Sequence, residues 1–151
     1  MLLWNKTSFF VKPHALELAD PIIDYLEFCL KESSIYTIKN RKKASITPEF
    51  IMEFYSHVKD INFKNFEEML RTYVGIVDLA VIYGDNIIRK VRDIAGPTNY
   101  GDNSSLTIRG KFGRILYGEK GYVMPNTIVH ASSSEEVERD FRILKKYNLI
   151  D

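Results

Sequence analysis

The sequence predicts an α+β protein in which helices cover an antiparallel sheet. Segments of strand-forming composition alternate along the chain with segments whose apolar residues recur at helical spacing. The connections between these segments are mixed, which favours a sheet with helices packed on it. A chain of 151 residues is long enough to bury one core. We therefore expect a single domain spanning residues 1–151.

The chain opens with a strand, a helix and a second strand. The β-forming run Thr7–Val11 stops before Pro13, which cannot donate to a strand ladder. Over Pro21–Leu30 the apolar residues have helical spacing, with Asp20 as a candidate N-cap. The segment Ile35–Ile46 is typical of a strand, but its charged middle cannot be buried on both faces. We expect it at the edge of the sheet or with one face exposed.

Helices and strands continue to alternate in the middle of the chain. The predicted elements are a helix that begins at Thr47, a helix over Phe63–Tyr73 that Gly75 ends, a strand over Ile76–Tyr83 and a helix over Asn86–Ala95. From Gly96 to Arg109 the chain is rich in Gly, Asn, Ser and Thr and lacks a hydrophobic period. This predicts a long surface loop, a feature that is often functional.

The last quarter of the chain predicts three short strands and one helix. The strands are expected around Arg114–Leu116, Tyr122–Met124 and Thr127–Val129, and the helix over Ser134–Lys145 with serines as its cap.

The composition excludes several functional classes. Apolar residues make up 45% of the chain and charged residues 27%, which argues against disordered, fibrous and membrane proteins. The net charge of +1 gives no overall field for a nucleic-acid backbone, so any phosphate binding must be local. The single cysteine, Cys29, cannot form an internal disulfide, and we expect neither a signal peptide nor a membrane-spanning segment, since no charged region followed by an apolar run opens the chain and no apolar run is long enough to span a membrane. We expect a cytoplasmic protein.

The common nucleotide and metal motifs are missing. Gly96–Gly101 and Gly113–Gly118 have the glycine spacing of a P-loop, but Asp102 and Glu119 stand where its lysine belongs. The three histidines and one cysteine lack the spacing of a zinc site. What remains is a set of residues suited to phosphate, namely Lys12, Arg92, Thr98, Arg109 and His130. Singly, each would be an ordinary surface or packing residue.

Five ordered blocks of sequence give these residues a context. The blocks are F-F-V-K-P-H at Phe9–His14, E-F-Y-S-H followed by Phe63, R-D-I-A-G-P-T-N at Arg92–Asn99, L-T-I-R-G-K-F-G at Leu106–Gly113 and N-T-I-V-H-A-S-S-S-E-E at Asn126–Glu136. Together these blocks resemble the nucleoside diphosphate kinase family. The resemblance covers roughly Lys6 to Leu144.

The resemblance implies a ferredoxin-like antiparallel sheet and a ping-pong phosphotransferase. His130 would take the γ-phosphoryl group of ATP or another nucleoside triphosphate and pass it to a nucleoside diphosphate. An unperturbed imidazole, with a pKa of about 6.5, is mostly neutral at pH 7 and needs no separate base. Mg²⁺ would arrive on the nucleotide, since no protein metal cage is expected. The family also implies a homohexamer or homotetramer.

The same resemblance assigns the supporting residues. Lys12, Arg92 and Arg109 would supply positive charge, Tyr55 and Thr98 hydroxyl donors, and Ser132 a hydroxyl near the transferred group. Phe63 would stack on the base with little base specificity, although ordinary core packing explains an aromatic residue equally well. Tyr55 is similarly ambiguous. His14 and His57 are expected at the surface or in packing roles.

Some positions depart from the family pattern. Thr127 stands where the family has an asparagine, so either a bulge brings Asn126 back to the site or Thr127 substitutes for it, which we favour. His14-Ala15 replaces Asp-Gly. Asp140 stands near the position at which the family has a glutamate that orients the ring of the histidine. Its side chain is shorter than that of glutamate, which predicts a looser contact with the ring.

Three further departures surround the histidine. Ala131 replaces a glycine and Ser133 an aspartate, which leaves Ser134 as the helix cap. The segment Tyr117–Pro125 is an apparent insertion, whose Y-G-E-K-G-Y core predicts a hairpin close to the nucleotide pocket.

Two other functions fit parts of the sequence. The departures from the family pattern favour a nucleotide-binding or regulatory protein that has lost turnover, since a fold alone does not secure activity. The basic strand segment Lys39–Lys43 favours a nucleic-acid-binding module of ferredoxin-like type. The near-zero net charge makes this second alternative the weaker one.

Overall fold

An antiparallel sheet forms the centre of the molecule, as the sequence predicts, and the described residues contribute four strands to it. The computed structural model describes residues 4–33, 35–56, 63–98, 103–120 and 127–151. The strand order is β2-β3-β1-β4. The strands are β1 (Trp4–Val11), β2 (Tyr36–Ile46), β3 (Gly75–Asp85) and β4 (Val129–Ala131).

Helices cover both faces of the sheet, which confirms the predicted α+β class. A 3₁₀ helix spans Pro13–Leu18, and the α-helices are α1 (Ala19–Ser33), α2 (Pro48–Phe54), α3 (Phe63–Tyr73), α4 (Ile87–Ala95), α5 (Ile108–Lys120) and α6 (Val137–Lys146). One core lies between the sheet and α1, α4 and α5. The other lies between the sheet and α2, α3 and α6. None of the helices in the described ranges is long and apolar enough to cross a membrane.

Strand β1 feeds both cores because successive side chains on a strand point to opposite faces. Phe9 and Val11 are buried against α1 and α4, whereas Phe10 is buried on the face that α2 and α6 cover. In the ladder with β4, Phe10 lies directly opposite His130. The backbone N–H of Lys12 extends the pairing of the two segments by donating to the carbonyl oxygen of Ile128 at 2.9 Å. The end of β1 therefore sits beside the histidine.

The charged strand β2 lies at the sheet edge, as predicted. A bulge falls between Lys39 and Lys42, where Asn40 has a φ of 57°. The bulge places Arg41 over the sheet, where its Nε and Nη2 each lie 3.0 Å from the carboxylate of Asp78. Asp78 is buried, so this bidentate partner satisfies a carboxylate that would otherwise be costly. Arg41, in the basic segment Lys39–Lys43, thus has a structural role.

Two predicted helix caps are wrong. The 3₁₀ turn runs directly into α1, so the helix begins at Ala19, and Asp20 lies in its first turn and pairs with Arg41 at 2.6 Å. Helix α6 begins at Val137 rather than at a serine cap, because a turn closed by the carbonyl of Ser133 precedes it.

The strand predicted at Arg114–Leu116 is also wrong, because this segment belongs to α5. The apolar side chains Ile108, Phe112 and Leu116 recur every four residues and are buried together. Helix α5 continues to Lys120, so the hairpin predicted from Tyr117 does not begin there. The predicted strand Tyr122–Met124 lies outside the described residues.

Candidate active site

His130 occupies the middle of β4 with its ring held between two phenylalanines. The ring of Phe10 stacks on it at 4.9 Å between centroids, and Phe54 meets it edge-on at 4.9 Å. Strand β4 begins two residues later than predicted, at Val129 instead of Thr127, so His130 lies within the ladder. Only 13% of the side chain is exposed. The packing leaves the ring little freedom to rotate.

Asp140 on α6 fixes the tautomer of this ring. His130 Nε2 lies 2.9 Å from Oδ2 of Asp140, which is an ordinary hydrogen bond and not the looser contact that the shorter side chain predicted. A carboxylate only accepts, so Nε2 carries the proton and Nδ1 carries the lone pair. Within the described ranges, Nδ1 has no hydrogen-bond partner. The ring therefore presents a nucleophilic nitrogen.

The surroundings of His130 favour its neutral form. Burial lowers the pKa of His130, and the positive charges of Lys12 and Arg109 lower it further. The hydrogen bond and charge of Asp140 act in the opposite direction without cancelling these effects. The imidazole is therefore neutral and able to attack at neutral pH.

Behind Asp140 lies a pair of buried serine hydroxyls. Ser132 Oγ donates to Asp140 Oδ2 at 2.7 Å, and Ser8 Oγ lies 2.6 Å from Ser132 Oγ. Both serines are 0% exposed. The hydroxyl of Ser132 is thus bound to the carboxylate on the Nε2 side of the ring. Its place near the transferred group, which the family resemblance implies, stays a prediction.

Two arginines hold the backbone on either side of His130. Arg92 on α4 donates to the carbonyl of Ala131 at 2.9 Å. Arg109 donates to the carbonyl of Val129 at 3.2 Å and to that of Gly96 at 2.5 Å. Arg109 lies in the first turn of α5 and is buried, not in a surface loop as predicted. Burial and the charge of Arg92 lower the pKa of Arg109 to about 10.

Lys12 is a buried cation without a counter-ion. Its side chain is 6% exposed, and its Nζ lies 4.1 Å from the ring centroid of Tyr73 and 5.6 Å from that of Tyr55. No carboxylate in the described part of the chain pairs with it. Burial, followed by the charge of Arg109, lowers the pKa of Lys12 well below its ordinary value. The arrangement suits an anionic ligand, which would supply the missing negative charge.

The hydroxyl of Tyr55 is also without a partner in the described structure. It is buried and makes no hydrogen bond, and burial raises the pKa of Tyr55 well above its ordinary value. Such a hydroxyl stays protonated and can donate to a ligand. Burial raises the pKa of the neighbouring Tyr73 to about 12. Nothing in the pattern around Tyr73 marks it as a residue of the site, because it continues the apolar face of α3.

The remaining predicted site residues are placed less closely around His130. The hydroxyl oxygen of Thr127 lies 3.1 Å from His14 Nε2, and the ring of His14 stacks on that of Tyr73. Thr98 is exposed, two residues after Gly96. Asn126, His57 and the side chain of Phe63 lie outside the described part of the structure.

The donor set near His130 suits phosphate rather than a metal ion. Among the described residues, no three His, Cys, Asp or Glu side chains come together as metal ligands. The carboxylate closest to the histidine, Asp140, is fully buried and bound to His130 and Ser132. Among the described residues, the donors with unused hydrogen-bonding capacity include Lys12, the hydroxyl of Tyr55 and the guanidinium Nε of Arg109.

Comparison with known proteins gives a consistent result. A family model described as nucleoside diphosphate kinase matches residues 5–146. The nucleoside diphosphate kinase of Streptococcus thermophilus is 31% identical over 135 residues, which cover 87% of this chain and 90% of that protein. The enzyme of Acetivibrio thermocellus is 36% identical over 107 residues, or 70% of this chain and 71% of that protein. The solved structure of the Aquifex aeolicus nucleoside diphosphate kinase superposes with a TM-score of 0.72 at 28% identity, covering 93% of this chain and 94% of that chain.

Proposed function

Since the chain belongs to the nucleoside diphosphate kinase family, a family of phosphotransferases, we propose that it works by a ping-pong mechanism through phosphohistidine at His130. The observation that carries the proposal is the state of the imidazole. Its Nε2–H is bound to Asp140, its Nδ1 has a lone pair, and its pKa is lowered. A nucleophile in this state needs no separate base.

In the first half-reaction, Nδ1 of His130 attacks the γ-phosphorus of a nucleoside triphosphate. The new N–P bond forms as the bond from phosphorus to the β,γ-bridging oxygen breaks, and the nucleoside diphosphate leaves with the electron pair. The ring then carries a phosphoryl group on Nδ1 and keeps its proton on Nε2. Asp140 stabilises the positive charge that develops on the ring.

In the second half-reaction, a β-phosphate oxygen of the acceptor diphosphate attacks the same phosphorus. The N–P bond breaks, and His130 recovers its neutral form. Lys12 and Arg109 would balance the charge of the phosphoryl oxygens in both directions, with Arg92 beside them. Mg²⁺ would be bound to the nucleotide phosphates, since the cationic and hydroxyl donors at the site suit phosphate and not a metal ion.

The remaining nucleotide contacts follow from the family pattern. Tyr55, with its partnerless hydroxyl, would donate to the phosphates or ribose, and Thr98 and Thr127 or Asn126 would add further polar contacts. Phe63 would stack on the base, which gives little discrimination between bases. The family pattern also favours a homohexamer or homotetramer, which light scattering would test.

The decisive experiment is labelling with γ-³²P-ATP and Mg²⁺. The protein should acquire a phosphate that is stable in base and labile in acid, that mass spectrometry locates at His130 and that unlabelled nucleoside diphosphate removes. His130→Gln should take up no label. His57→Gln, the same substitution at a histidine predicted to have a surface or packing role, should label normally.

The outcomes separate the proposal from its main rival. If the folded wild type binds ATP but takes up no label, the chain is a nucleotide-binding protein that has lost turnover. If His130→Gln labels as fast as the wild type, the assignment of the nucleophile is wrong.

A further inference from the structure

The hydrogen-bond chain behind His130 extends one residue further than a carboxylate and its immediate partner. It begins at Ser8, in the middle of β1 and two residues before Phe10, where it is 0% exposed. The hydroxyl of Ser8 lies 2.6 Å from that of Ser132, and the Ser132 backbone N–H donates to the carbonyl of Ser8 at 3.3 Å. The two serines are therefore held together at two points across the sheet.

The direction of every proton in this chain can be deduced. An ionised carboxylate has no proton to donate, so both His130 and Ser132 must donate to Asp140 Oδ2. Ser132 has a single hydroxyl proton, which that bond uses. In the contact between the two serines, Ser8 is consequently the donor and Ser132 the acceptor. The chain runs in one direction, from Ser8 through Ser132 to Asp140, where it meets the Nε2–H of His130.

We propose that Ser8 is a positioning residue for the reaction of His130, which it influences through Ser132 and Asp140. This inference rests on the proposed role of His130 as the phosphate acceptor. Donation from Ser8 occupies a lone pair of Ser132 and fixes the direction of its proton. Hydrogen bonds in series polarise one another, so Ser132 becomes a stronger donor to the carboxylate. The carboxylate is thereby held in one orientation and its negative charge is partly neutralised.

The effect on the histidine has a definite sign. If Ser8 loses its hydroxyl, Ser132 donates less strongly and Asp140 keeps more negative charge. The protonated imidazole is then better stabilised, so the pKa of His130 should rise. The other charged groups that bear on the pair are Lys12 and Arg109 on the ring and Arg139, whose Nη1 lies 3.6 Å from Asp140 Oδ1. None of these is altered by a substitution at Ser8.

The test compares Ser8→Ala with Thr7→Val in single-turnover phosphorylation by γ-³²P-ATP across pH. Thr7 is an equally buried hydroxyl on the same strand, but it has no hydrogen-bond partner in the described structure. Ser8→Ala should be about two- to fivefold slower than the wild type near pH 5.5 and no slower than it near pH 8. Thr7→Val should follow the wild type at both values. Ser8→Cys, with a weaker donor, should fall between Ser8→Ala and the wild type.

A double variant tests whether Ser8 acts through Ser132 and Asp140, a hydrogen-bond chain that we call the relay. Ser132→Ala should shift the pH profile in the same direction, and adding Ser8→Ala to it should cause no further shift, because the link between Ser8 and Asp140 is already broken. NMR titration of the His130 ring without nucleotide should rank the variants in the same order by the pKa of His130.

Each negative result has a separate meaning. A wild type that does not label overturns the proposed function, whereas the NMR titration still tests the relay on its own. If the wild type labels but Ser8→Ala keeps its pH profile and its His130 titration, the relay is refuted. The same holds if Ser8→Ala slows the reaction equally at all pH values, which would indicate a merely structural role.

Discussion

Replacing Asp140 with asparagine tests how firmly the active state of His130 depends on its carboxylate. In the wild type, Oδ2 of Asp140 accepts from His130 at 2.9 Å and from Ser132 at 2.7 Å. Asparagine has nearly the same size but offers one acceptor oxygen and no charge. The variant should therefore fold, because the site is 0% exposed and the replacement fills it.

The expected loss follows from the charge that the ring gains during the reaction. When Nδ1 takes up a phosphoryl group the imidazole becomes cationic, so its hydrogen bond to Asp140 is then between two charged groups. Hydrogen bonds to charged groups contribute about 1.5–3 kcal/mol. Phosphorylation should consequently slow by roughly 10- to 150-fold. Because Asp140 raises the pKa of His130, its loss should lower that pKa further, so the acid limb of the rate profile should move to lower pH.

Rapid-quench labelling with γ-³²P-ATP between pH 5 and 8 measures both effects. Asp93→Asn is the matched control, since Asp93 is 73% exposed and its ion-pair partner in the described structure is Arg89 at 3.8 Å. It should leave the rate unchanged. A rate for Asp140→Asn within twofold of the wild type at every pH, with the protein folded, would refute the role assigned to the carboxylate. An acid limb that moved to higher pH would refute the electrostatic reasoning.

Three further predictions concern stability. Lys12→Met should slow phosphorylation yet raise the free energy of unfolding of the nucleotide-free protein by about 1 kcal/mol, since a buried cation with lowered pKa is removed; urea denaturation that shows destabilisation would contradict this. Gly110→Ala should cost about 2 kcal/mol or more, because its Cβ would lie 1.9 Å from the Ser104 carbonyl oxygen, whereas Gly118→Ala, whose Cβ would have no described atom within 4 Å, should be neutral or slightly stabilising; equal melting temperatures of the two variants would contradict this. The pKa of His130 is lower in the folded than in the unfolded protein, so its contribution to stability is present above the unfolded value of about 6.5 and is lost as the pH falls through the range below it. In urea titrations, the free energy of unfolding of the wild type should fall more than that of His130→Gln between pH 7.5 and pH 5.5. An equal fall in both proteins would contradict the lowered pKa of His130.

The sequence predicted most elements of the fold because their local signals agree with their tertiary setting. The charged strand β2 needs an edge, and Thr47 caps α2 by accepting from the N–H of Phe50 at 3.2 Å. The sequence did not predict helix α5, because Gly110, Gly113 and Gly118 lower the helix propensity of this segment and mask its hydrophobic periodicity. Close packing requires a glycine in at least one of these places, since Gly110 lies against the backbone of Ser104.

The motifs located the groups proposed to react but not the residues that hold them. Lys12, Arg109 and His130 stand in recognisable blocks of sequence. Ser8 and Tyr73 carry no comparable signal, because a serine in a strand and a tyrosine on an apolar helix face are ordinary residues there. Their contacts, with Ser132 and with Lys12, form only when distant parts of the chain pack together. Such roles depend on tertiary geometry and cannot be deduced from spacing alone.

The charge at the site is itself an argument about function. A cluster that served stability alone would pair each buried cation with a carboxylate. Here the carboxylate nearest the proposed nucleophile is bound to His130 and Ser132, while Lys12 lies beside aromatic rings and a second cation and pairs with no carboxylate in the described part of the chain. The nucleotide-free protein therefore holds positive charge at the expense of its own stability, at the position where a phosphoryl group would supply the balancing anion.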